Sequence, residues 1–132
     1  MTVWPAYLAV GAGSALGCSL RYQVSLAMAG IAGPVFPWAT LLVNTLGSWL
    51  IAAFVAYATR RTAGRVARWQ PFLVAGFCGG FTTFSLFGLE TLQLLEQGRA
   101  GLALAYVLLS VPLWLAGAWS GHRAGHRAAA RT

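Results

Sequence analysis

Charge is what this sequence most lacks. Only 8% of its 132 residues are charged, while 58% are hydrophobic; soluble domains carry roughly a quarter charged residues. So few polar groups cannot cover the surface of a water-soluble fold. Acid is scarcer still, since Glu90 and Glu96 are the two carboxylates of the chain. No carboxylate pair, nucleophile–base set or metal-binding cluster emerges, and an enzyme is the least supported class. Cysteine is limited to Cys18 and Cys78. Both fall in apolar segments and read as free buried thiols, so they assign no redox compartment. Lysine is absent, and the net charge of +7 comes from nine arginines. No polar domain exists to present those arginines to a duplex, which leaves membrane topology as the better account of them than nucleic acid.

The chain does have length in its apolar runs. At least three segments exceed the roughly 18 residues that mark a membrane-spanning candidate. We therefore expect an all-α integral membrane protein, one four-helix transmembrane domain over residues 1–132 with helices at about 4–28, 38–59, 71–95 and 100–121. No basic stretch precedes the first apolar run, so that helix is expected to persist and not be cleaved as a signal peptide. Gly11, Gly13 and Gly17 give it a smooth face for close helix packing. Arg21 and Tyr22 follow at its end, where an arginine can snorkel to the interface or build an electropositive vestibule. Residues 29–37, with two glycines and two prolines, read as a loop.

The second segment, Trp38 to Thr59, has no charge and at 22 residues reaches about 33 Å, enough to cross the hydrocarbon core. Asn44 interrupts it. A carboxamide at that depth needs a partner, and an interhelical hydrogen bond and a functional role are both open to it. Residues 60–70 form a linker with Arg60, Arg61, Arg65 and Arg68. Pro71 starts the third helix. Glu90 lies within that helix, either as an ion ligand or reaching interfacial water. In the fourth, Tyr106 and Ser110 are four residues apart and share a face, with Trp114 one turn on, a stripe that by itself more often serves packing than a pathway. The tail HRAGHRAAART from His122 has histidines at i and i+4, but no carboxylate or cysteine beside them, and reads as a solvated basic tail.

The most informative stretch is Gly76 to Phe87, GFCGGFTTFSLF. Gly79 and Gly80 leave the backbone unprotected, and Thr82, Thr83 and Ser85 bring hydroxyls that compete for its partners. A helix break is expected there, and non-helical backbone at membrane depth survives only where protein buries it or water fills a cavity. A glycine packing face would account for the glycines, but it does not call for Phe84 and Phe87 straddling Ser85 after two threonines.

This block resembles the signature of the Fluc/CrcB fluoride channels, a family of small four-helix membrane proteins with a GGxTTFSxF-type motif. The glycines before Arg21-Tyr22 and TLLVNTLGS, Thr40 to Ser48, are similar to the family's first- and second-helix patterns, although Ala39 stands where many members have glycine. The resemblance covers almost the whole chain. It implies a passive fluoride-selective channel in the cell membrane, multi-pass, exporting fluoride from the cytoplasm. Its fold would be an antiparallel, dual-topology dimer with the third helix broken mid-membrane. The implied pathway residues are Asn44, Thr83, Phe84, Ser85, Phe87, Tyr106, Ser110 and Arg21, with Glu90 in second line. Trp114 replaces a hydroxyl found in some members, which would shorten the polar track. A structural Na+, not transported, would be held by the backbone carbonyls of Gly79 and Thr82. Neutral donors and ring-edge hydrogens suit a small, strongly hydrated anion that a full positive charge would trap.

Arginine counts complicate a symmetric dimer. Arg60, Arg61, Arg65, Arg68, Arg123, Arg127 and Arg131 lie on the side of the termini, against Arg21 and Arg99 opposite. The positive-inside rule favours one orientation, so we expect inefficient dual insertion or a homologous partner of opposite bias. A small multidrug-type transporter would need a carboxylate in the first helix, which is absent. A helical assembly subunit would explain the glycines but not Asn44 together with FSLF.

Overall fold

The computed structural model describes residues 4–60 and 66–131, the Ala67 side chain excepted. They form α1 (Trp4–Ala32), α2 (Trp38–Arg60), a 3-10 turn (Ala67–Trp69), α3 (71–81), α4 (Phe84–Glu96) and α5 (Ala100–Ala130). Helix α3 is wound as a π-helix over Pro71–Cys78 and returns to α-helical winding over Gly79–Phe81. Part of the expected arginine linker, residues 61–65, lies outside the described residues.

Three spans, Trp38–Arg60, Pro71–Glu96 and Ala100–Ala130, are long and apolar enough to cross a membrane. Helix α1 has the length, at 29 residues, but is not among those three; it carries three serines and Arg21 among its apolar residues. It also runs past the expected end at 28, continuing to Ala32. Arg21 thus sits about three turns inside the helix, not at its terminus. What stops α1 is Gly33, whose φ of 76° is accessible to glycine without strain. At the other turn on that side, Gly98 adopts φ 71°. Gly98 N–H donates to the Leu95 carbonyl and Arg99 N–H to that of Leu94, both at 2.9 Å, a Schellman closure that redirects the chain into α5.

Two glycine seams set the packing. Along the first, Gly13 and Gly17 of α1 meet Gly76 and Gly80 of α3, so closely that an added Cβ on any of the four would collide with backbone. The helices run parallel, and small residues four apart on both sides allow the backbones to touch. Ser14 Oγ and Cys18 Sγ donate across this seam to the carbonyls of Gly76 and Gly80, at 3.4 and 3.3 Å. Cys78 is buried as expected, whereas Cys18 is exposed on the single chain, because its side chain lies at the seam's rim. Along the second seam Gly117, Gly121 and Gly125 of α5 abut the backbones of Thr45, Trp49 and Ala53 in α2.

That second seam corrects the reading of residues after His122 as a solvated tail. They continue α5 to Ala130, beyond the expected end at 121, because the glycine stripe keeps one face packed while Arg123 and Arg127 project from the exposed side. Between α2, α4 and α5 lies an apolar cluster of Leu41, Phe87, Leu94, Ala103 and Tyr106.

Candidate functional site

The polar residues gather where α3 ends and α4 begins. Thr82 (φ −84°, ψ 158°) and Thr83 (φ −155°, ψ 123°) are extended between the two helices. Asn44, buried on α2, grips this interruption with both ends of its carboxamide. Its Nδ2 donates to the Thr83 carbonyl and its Oδ1 accepts from the Thr83 amide, each at 2.8 Å. One Nδ2 hydrogen remains for another acceptor. Thr83 then caps α4, its Oγ1 accepting from Leu86 N–H at 3.2 Å, and it lies 3.2 Å from the exposed Ser85 hydroxyl. Thr82 folds back instead, donating from N–H and Oγ1 to the Cys78 carbonyl at 2.9 and 2.8 Å.

These bonds strip two carbonyls of their helical donors. In an unbroken helix the Gly79 carbonyl would accept from Thr83 N–H and the Thr82 carbonyl from Leu86 N–H. Asn44 Oδ1 and Thr83 Oγ1 take those donors here. Both residues retain access to the surface of the single chain.

One turn before Asn44 on α2, Thr40 serves a second polar centre. Its hydroxyl donates to Glu90 Oε1 at 2.8 Å, and Tyr106 OH donates to Glu90 Oε2 at 2.7 Å. Glu90 is thereby held by protein hydroxyls on both oxygens. It also borders a cavity of about 250 Å³ reaching Ser25, Gln93 and Gln97. Sequence reasoning gave Thr40 no such role; its position one turn from Asn44 was the available signal.

The two phenylalanines are placed differently. Phe87 is buried, its ring 5.0 Å from that of Tyr106 and 4.9 Å, edge to face, from that of Trp114. Phe84 is 74% exposed on the single chain, with its ring 5.5 Å from Phe87. Behind Phe87, Ser110 is wholly buried, yet its Oγ has no partner. One turn further, Trp114 Nε1 is also buried without a partner. Trp114 lines a cavity of about 180 Å³ with Asn44, Ser48, Thr82, Thr83 and Phe84. A buried polar atom with no partner costs about 1–3 kcal/mol, so two of them in succession mark a place suited to an acceptor.

Arg21 stands apart from this group. Its Nη2 lies 3.6 Å from Cys18 Sγ, its Nε is buried without a partner, and it borders a separate cavity with Tyr22, Ser25 and Leu86. Among the described residues no cluster of three or more His, Cys, Asp or Glu could hold a metal ion.

The amino-acid sequence of the chain was compared with those of known proteins. The chain is 47% identical over 119 residues to the fluoride-specific ion channel FluC of Rhodospirillum rubrum, covering 88% of this chain and 91% of that one. It is 46% identical over 114 residues to the FluC proteins of Cereibacter sphaeroides and Rhizobium meliloti, covering 86% of this chain and 89% and 90% of theirs. The model of the family described as CrcB-like protein, Camphor Resistance (CrcB), matches residues 8–122, and the chain belongs to that family.

Proposed function

We propose that this protein is a fluoride-selective channel through which fluoride leaves the cytoplasm passively, lowering its toxicity. The observation that carries this reading is the run of uncharged donors beside Phe87: the Asn44 carboxamide, Ser110 Oγ and Trp114 Nε1, the last two buried without partners. Fluoride is a strong acceptor that must be given donors in place of its water, and a cationic site would hold it too long to conduct. Ring edges carry partial positive charge, which gives Phe84 and Phe87 a part in the same path. Thr83, Ser85 and Tyr106 add hydroxyls along it. Trp114 contributes an indole N–H where some members of the family have a hydroxyl, so the track is not shortened as expected. Glu90, already bonded at both oxygens, acts by orienting Thr40 and Tyr106, and Arg21 draws anions toward one mouth.

In this reading α1 crosses the bilayer with the other three spans, and the interruption at Thr82-Thr83 falls mid-membrane. The working unit is an antiparallel dimer, which would cover the exposed Phe84. A structural Na+ between subunits fits the Gly79 and Thr82 carbonyls, which lack their helical donors; oxygen ligands suit a hard cation. Such an ion supplies positive charge to carbonyl dipoles and a fixed point for the two copies. The arginine asymmetry predicts either unequal insertion of identical copies or pairing with a homologue of opposite bias. Reporters fused to both loops would decide, and an even split would remove the bias.

The test is efflux from liposomes holding the purified protein. Fluoride release well above chloride release supports the channel, and equal release of both ions, or none, overturns it.

A further inference from the structure

Arg60, Arg123, Arg127 and Arg131 form a basic end that the chain cannot neutralise with its own side chains. Its two carboxylates are Glu90, midway along α4, and Glu96, at its end; they lie beside the first turns of α2 and α5 and thus at the opposite end of the α2–α5 pair. Glu90 is moreover engaged by Thr40 and Tyr106.

The second glycine seam concentrates this charge. Because α2 and α5 run parallel with Gly125 against Ala53 and Ala56, the last turn of α2, which carries Arg60, comes level with the last turns of α5. His122 and His126 lie in the same segment of α5, their Nε2 atoms 2.8 Å apart. At its apolar border Trp119 is exposed, and the Arg123 guanidinium sits 4.8 Å from its ring centre. Tryptophan with its polar edge up is the residue of the membrane–water boundary. An arginine stacked on it is held at headgroup depth, with its donor fork turned to planar or tetrahedral anions.

We propose that this end of the α2–α5 pair is a docking surface for the phosphate of an anionic phospholipid headgroup. The argument for a lipid over free phosphate is depth: the cations begin one turn beyond the last apolar residues and are anchored by an exposed indole, where a soluble anion gains nothing from the acyl chains. The proposal rests on α2 and α5 crossing the bilayer and is independent of what the channel conducts.

The experiment uses the full-length protein in detergent, with native mass spectrometry counting retained phosphatidylglycerol against phosphatidylcholine of the same acyl chains. Anionic lipid should be retained in preference, and Arg123→Gln and Arg127→Gln, read singly and together with Arg60→Gln, should each lower that preference about fivefold. Millimolar inorganic phosphate should not displace the lipid. Equal retention of both lipids, or a preference untouched by the three substitutions, overturns the proposal. Displacement by inorganic phosphate overturns the lipid assignment in favour of a soluble-anion site. Fluoride efflux of the same variants in pure phosphatidylcholine vesicles is recorded alongside. Lost lipid preference with intact efflux confirms a surface role, and absent efflux in the parent protein bears on the channel alone.

Discussion

Two polar clamps one helical turn apart on α2 work in opposite ways. Asn44 holds backbone: both bonds go to the Thr83 peptide, so an uncharged side chain substitutes for the helical partners that the interruption removes. Thr40 holds a side chain: its hydroxyl and that of Tyr106 converge on the Glu90 carboxylate. The first fixes where the chain bends, and the second fixes a charge. The difference teaches that a carboxamide suits the bend because it donates and accepts at once, whereas a carboxylate needs two donors and finds them in hydroxyls.

Breaking the first clamp should have the largest effect. Asn44→Ala leaves the half-buried N–H and C=O of Thr83 without their partners, at about 1–3 kcal/mol in total. Fluoride efflux should fall to the level of empty liposomes, with a lower unfolding midpoint in detergent. Wild-type efflux from this variant would show that the clamp is dispensable. Phe87→Ala comes next: removing a buried ring costs about 3–5 kcal/mol and takes away the surface against Tyr106 and Trp114, so both stability and efflux should drop, more than for Phe84→Ala.

The second clamp should yield less. Glu90→Gln turns one acceptor oxygen into a donor, so the hydroxyl of Thr40 or Tyr106 must turn from donor to acceptor. A several-fold slower efflux is expected, with a stability loss of about 1–3 kcal/mol. Tyr106→Phe keeps the ring contacts and leaves Glu90 with Thr40 alone, for about 1 kcal/mol. Asn44→Ala and Glu90→Gln combined should add in stability if the clamps are independent; a coupling above about 0.5 kcal/mol would merge them into one network. The smallest change is Trp114→Phe, which removes only the indole N–H. Efflux should decline modestly with no loss of stability, and an unchanged rate would remove Trp114 from the donor set.

Much of this was legible in the chain. Gly79-Gly80 followed by two threonines announced weak helix, and the extended residues fall on Thr82 and Thr83. Asn44 announced the need for a partner, but its partner lies 39 residues away, and no local pattern encodes such a pairing. Tyr106 and Ser110 were rightly placed on one face, yet the Tyr106–Glu90 bond depends on how α4 leans on α5. The stripe Gly117, Gly121, Gly125 stands at helical spacing in the sequence, but His122 and Arg123 between its members belong to the other side of the helix, and it is the packed side that decides the helix's length.

The α2–α5 seam also limits how the protein can move. Contacts repeat every four residues on both helices, so a partial slide would drive carbonyls into neighbouring backbone. Only a ratchet by one whole four-residue repeat, about 6 Å, would restore the fit. Thr40 and Asn44 therefore keep constant height relative to Tyr106, Ser110 and Trp114. Whatever opens or narrows between them must come from rotating hydroxyls, swinging rings or a shift of α4, and piston motion of these two columns is mechanically closed off.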